Sequence, residues 1–83
     1  MNIRISNVPE EVTRQDILVL LQKYEEEAAL RIVVDRYSLK SLIIVFATIQ
    51  NEAKALQAIE EMNGMSVKGE IIEVRRAVNE VNV

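Results

Sequence analysis

The first residues alternate cleanly. Ile3 and Ile5 are apolar while Arg4 and Ser6 are polar, and this period of two predicts a half-buried strand over residues 3–8. Pro9 ends it, because proline has no amide hydrogen to give to a ladder. Thr13, with Asp16 three residues on, has the spacing of a capping box and starts a helix. Ile17, Leu18, Leu20, Leu21 and Tyr24 then recur at helical spacing. The carboxylates of residues 25–27 oppose the negative end of the helix dipole, so the helix is expected to stop near Tyr24.

Residues 29–35 are rich in β-branched side chains and predict a second strand. Residues 36–39 connect it to a third over 40–47, and the two form a hairpin. Thr48 is expected to cap a second helix whose buried side carries Ala55, Ala58, Ile59 and Met62, with Leu56 beside them. Asn63-Gly64 supplies its left-handed stop, and residues 67–69 turn the chain. The last strand is expected over residues 71–78, with Ile72 and Val74 on one side and Ile71, Glu73 and Arg75 on the other. The order is β-α-β-β-α-β. Right-handed crossovers then put both helices on one face of a four-stranded antiparallel sheet and leave the other face open. The open face is where function is to be sought.

Length and composition narrow this further. Eighty-three residues, 49% hydrophobic, suit one small ordered domain over residues 1–78, followed by a tail over 79–83. With no cysteine there is neither disulfide nor thiolate metal site, and without histidine the commonest general base and zinc ligand are gone as well. Two glycines, Gly64 and Gly69, make no phosphate loop. A non-enzymatic domain without a cofactor is therefore expected. No apolar run reaches the roughly 18 residues of a membrane span, so a soluble cytoplasmic domain without a membrane partner is the expectation.

The net charge of −3 argues against indiscriminate binding of polyanions. Its distribution is uneven. Arg4, Arg31, Arg36, Lys40, Lys68, Arg75 and Arg76 fall on strands or the loops at their ends, whereas most carboxylates fall in or beside the helices. A locally positive sheet can coexist with an acidic whole.

Four segments in order resemble the RNA recognition motif family, a ferredoxin-like α+β plait. Residues 3–8, with Asn7, resemble the first-strand hexapeptide; residues 39–46, followed by Ala47-Thr48, resemble the third-strand octapeptide. Ala55, Ala58-Ile59 and Met62-Asn63-Gly64 resemble the end of the family's second helix, and residues 69–74 the opening of its last strand. The resemblance implies single-stranded RNA on the open face. It also implies aromatics at the second hexapeptide position and at the third and fifth octapeptide positions, where this alignment finds Arg4, Ser41 and Ile43, with Phe46 on the buried side. Stacking on such aromatics is worth roughly 1–3 kcal/mol per base, so weak binding follows from their loss.

In the family register the open face carries Arg4 and Ser6, then Ala29, Arg31 and Val33, then Ser41, Ile43 and Val45, and finally Ile71, Glu73 and Arg75. Arg4, Arg31 and Arg75 are candidates for phosphate contact or stacking, and Ser6 and Ser41 for hydrogen bonding. Ile43 offers apolar contact, and Lys40 and Tyr37 approach from the hairpin end. Arg4, Glu73 and Arg75 fit a cross-strand charge ladder equally well. An aliphatic patch of Val33, Ile43, Val45 and Ile71 supports an alternative, a protein-interaction or homodimerisation surface. A third arrangement has Val78, Val81 and Val83 of the tail folded over that patch.

Overall fold

The computed structural model describes residues 1–78. Residues 79–83, including the tail valines Val81 and Val83, lie outside the described residues. In chain order the elements are β1 (Asn2–Pro9), α1 (Arg14–Leu21), β2 (Ala29–Val34), β3 (Leu42–Thr48), α2 (Glu52–Met62), β4 (Ser66–Val67), β5 (Glu70–Ile71) and β6 (Glu73–Arg76). Four strands form an antiparallel sheet in the order β2-β3-β1-β6, and β4 and β5 make a separate two-stranded ribbon. The expected β-α-β-β-α-β plait is present.

The core lies on one face of this sheet. Ile3, Ile5 and Val8 of β1, Val45 and Ala47 of β3, and Ile72 and Val74 meet Ile17, Leu21 and Tyr24 from the first helical segment and Ala55, Ala58 and Met62 from α2. A break in the alternation of β1 makes this possible. Ile5 faces Val45 and Val8 faces Ile43, so three steps on β1 match two on β3. The extra residue is a β-bulge, and Asn7 within it has a φ of 64°, a left-handed conformation that asparagine tolerates better than most side chains. Pro9 is the last residue of the strand, consistent with proline's restriction to strand ends.

The helix ends follow from local chemistry. The Thr13 hydroxyl accepts from the Asp16 amide at 3.1 Å while the Asp16 carboxylate accepts from the Thr13 amide at 3.0 Å, completing the expected capping box. Beyond α1, the Tyr24 amide reaches back only three residues, to the Leu21 carbonyl, so the last turn tightens there. Thr48 does not cap α2. It is the final residue of β3, and its hydroxyl donates to the Asn2 side-chain carbonyl at 2.5 Å. Ile49 is fully buried, which keeps the chain extended past Thr48, and Asn51 caps instead by accepting from the Lys54 amide at 2.9 Å. Gly64, with a φ of 89°, makes the left-handed stop expected after α2.

The final strand is shorter than the expected 71–78. Its first part pairs with β4 through a two-residue turn of Lys68 and Gly69, whose φ values of 47° and 88° match the positive pair that a type I′ hairpin turn needs. Val78, one of the three residues of the tail arrangement, is exposed.

The parity of β3 requires the largest correction. Ile43 and Val45, expected on the open face, are 6% and 0% exposed and belong to the core. Phe46, expected on the buried side, is half-buried and pairs directly with the outward residues Arg4 and Arg31. The strand is apolar from Leu42 to Ala47, so its sequence carries no period to fix its orientation.

Candidate nucleic-acid interface

Cross-strand register brings the open face together row by row. One row runs Arg31, Phe46, Arg4, Arg75 across β2, β3, β1 and β6. The row on one side of it is Ala29, Thr48, Asn2, and on the other side Val33 stands beside Ile44. Ser6 pairs with Glu73 toward the β6 edge. Neighbouring strands lie about 4.8 Å apart, so each row is a line of side chains in mutual reach.

Within the central row the four side chains are not equivalent. The Arg31 guanidinium lies 4.6 Å from the centroid of the Phe46 ring, a cation–π contact. Arg75 is bound to Glu73 at 3.0 Å, the arginine mostly exposed and the carboxylate half-buried. Arg4 and Arg75 stand directly opposite on adjacent strands, an arrangement of like charges that costs stability unless an anion lies near them. Three guanidinium groups against the single carboxylate of Glu73 make this row positive, although the whole chain is acidic.

The other expected contacts disperse. Ser41 precedes β3 rather than joining it, and stands on the parity of buried Ile43. The Lys40 ammonium is held by Glu70 at 3.2 Å, which ties the hairpin end to the β4–β5 ribbon. Tyr37 is 99% exposed in the β2–β3 loop, away from the row. Ile71 is exposed but belongs to β5, outside the four-stranded sheet. With Ile43 and Val45 in the core as well, only Val33 of the aliphatic patch expected for protein contact stays on this face, where Ile44 stands beside it.

Phe46 is the functional candidate that sequence reading missed. The corrected parity also moves the octapeptide by one residue, to 40–47. Lys40 then occupies the basic first position, Leu42 and Ile44 the third and fifth, and Phe46 the seventh. The aromatic is present on the open face, displaced from where the family pattern puts it.

On the helix side a second polar cluster has a structural part. The Tyr24 hydroxyl donates to the Glu61 carboxylate at 2.5 Å, joined by the Gln57 amide at 3.0 Å and the Lys23 ammonium at 3.2 Å. These hydrogen bonds, that of Tyr24 foremost, pull the Glu61 carboxyl down to a pKa of about 2. The cluster clasps the end of the first helical segment to α2.

Comparison with known proteins agrees with this architecture. The RNA recognition motif family model matches residues 3–73. Small ribosomal subunit protein cS22 of Arabidopsis thaliana is 29% identical over 72 residues, covering 87% of this chain and 28% of that protein. Human RNA-binding motif protein, X-linked 2 is 27% identical over 77 residues, covering 93% of the chain and 24% of its own length. The chain thus spans about a quarter of these curated relatives. The crystal structure of RNA binding protein PG1 superimposes with a TM-score of 0.78 at 30% identity, with 95% of each chain covered. With the match spanning most of the sheet and both helices, this chain belongs to the RNA recognition motif family.

Proposed function

We propose that this chain is a non-catalytic module that binds single-stranded RNA weakly across the open sheet face. The observation that carries the reading is the row Arg31, Phe46, Arg4, Arg75, which sets one aromatic platform among three guanidinium groups. Phe46 offers a stacking surface to any base, Arg31 extends it, and Arg4 with Arg75 attracts the phosphodiester. Ser6 lies one row away and is available for a hydrogen bond. Tyr37, on its exposed loop, would add contact only to an RNA long enough to leave the sheet. Two relatives are themselves named as RNA-binding proteins, which supports the same class. One aromatic rather than three limits the stacking energy, so affinity is expected to be low and strongly dependent on salt.

Titration of short single-stranded RNAs, followed by amide shifts and by binding at increasing salt, tests this. Shifts are expected on β1, β2, β3 and β6. Neutralising two or three phosphates gives a log–log salt slope of about −1.4 to −2.1. An RNA that moves no amide on these four strands at low salt overturns the reading.

A further inference from the structure

The side chains around Phe46 are asymmetric, and the asymmetry selects where a base can sit. Toward Val33 and Ile44 the neighbouring row is filled by branched aliphatics. Toward the other side the next row is short: Ala29, Thr48 and Asn2. There the surface sinks into a depression of about 210 Å³ walled by Phe46 and Arg31 and bordered by Ala29, Thr48 and Asn2. At ~30 Å³ per water that is space for about seven waters, the scale of a planar heterocycle. The Thr48–Asn2 hydrogen bond gives it a polar end, and the small Ala29 on the edge strand β2 leaves it open to solvent.

Resting on the RNA-binding reading above, we infer that the principal nucleobase lies in this slot against Phe46, on the Thr48 side. The RNA path is then shifted along β3 from the positions where the family pattern presents its aromatics. Phe46 is two residues beyond Ile44, so the shift is about 7 Å at the usual rise per residue. Ile44 has no π face to offer at the family position. The base edge would meet the Thr48 and Asn2 end, while the sugar-phosphate strand passes over Arg4 and Arg75 one and two strands away.

Three variants decide it: Ala29→Ile, which fills the slot with a strand-favouring side chain; Phe46→Leu, which removes the ring; and Ile44→Ala, which empties the family position. Each is assayed by fluorescence anisotropy with a mixed-sequence single-stranded RNA hexamer, after thermal melts confirm that it folds. Phe46→Leu is expected to weaken binding roughly 5- to 150-fold, the range for one lost stacked base. Ala29→Ile should weaken it at least several-fold, and Ile44→Ala by less than about twofold. If Ile44→Ala weakens binding while Ala29→Ile leaves it unchanged, the shifted slot is wrong and RNA follows the family positions. If the wild-type chain gives no anisotropy change, both this inference and the RNA-binding reading fall together.

Discussion

Strand β3 shows two faces built from nearly the same kind of residue. Ile43, Val45 and Ala47 point into the core, and Ile44, Phe46 and Thr48 point to the open face. On the packed side each large side chain meets neighbours from the helices, and full burial is worth about 1.5–3 kcal/mol per residue. On the open side Phe46 meets only its sheet neighbours, with Arg31 over its ring. Polarity therefore does not mark the functional side of this strand. Position relative to the helices does, and the same apolar character that stabilises one face supplies a ligand platform on the other.

The strongest way to break the comparison is to put a carboxylate on each side. Val45→Asp buries an unpaired charge between Ile5 and Ile32, a change expected to cost several kcal/mol out of the roughly 4–12 available to a chain of this size. Ile44→Asp reaches solvent and is expected to cost less than about 1 kcal/mol. Urea unfolding of the two variants measures the difference. Equal losses would mean that the two sides of β3 are not distinct.

The open face can next be divided by charge. Arg4→Gln removes a guanidinium that has no carboxylate across its strand pair, and should lower RNA affinity several-fold and reduce the salt slope by about 0.7. Arg75→Gln should do less, because Glu73 already occupies that side chain. Glu73→Gln should tighten binding for the same reason. An unchanged slope in Arg4→Gln would take Arg4 out of the phosphate contacts and leave it part of a structural ladder with Arg75.

Much of this arrangement is legible in the sequence, and the failure has a local cause. In β1 the charges at Arg4 and the hydroxyl at Ser6 mark the outward side, and the Thr13–Asp16 spacing marks the helix start. In β3 the six apolar residues from Leu42 carry no period, so orientation had to come from an end of the strand. The Ser41 end points the wrong way, because Ser41 lies outside the ladder. The Thr48 end points correctly: a polar Thr48 between the apolar Ala47 and Ile49 puts 43, 45 and 47 on the core side. Asn51 was hidden as a cap for a related reason, since Thr48 looks like the better capping residue until Ile49 is known to be buried. The bulge at Asn7 has almost no sequence signal beyond Val8 falling out of phase with Ile5.

A smaller effect sharpens the contrast within the central row. If Arg31 and Phe46 form a unit, a double-mutant cycle of Arg31→Ala and Phe46→Leu should return a coupling of about 0.5–1 kcal/mol in stability, the size of an exposed cation–π contact. The equivalent cycle of Arg4→Ala with Phe46→Leu should return less, since that arginine makes no ring contact of this kind. A null result in the first cycle would leave the ring free in the unbound protein, and RNA would then meet Phe46 without displacing or sandwiching a guanidinium.

Acid separates the two sides of the domain last. The helix layer holds Glu61, whose carboxyl is drawn down to about 2 by the Tyr24 hydroxyl first, and then by Gln57 and Lys23. A carboxyl lowered on folding stabilises the native state fully above its ordinary value of 4.5, and that contribution disappears as the pH falls toward 2. Asp16, lowered by the Thr13 backbone and hydroxyl, shares the direction at the other end of α1. Thermal melts of the wild type should therefore fall in midpoint from about pH 5 downward. Glu61→Gln should flatten the part of that fall owed to the clasp while leaving RNA binding at neutral pH unchanged, because Glu61 sits on the helix α2 and not on the open face. A Glu61→Gln variant with the wild-type acid profile would place the acid sensitivity elsewhere, and one with altered RNA affinity would mean that the two sides of the sheet are coupled.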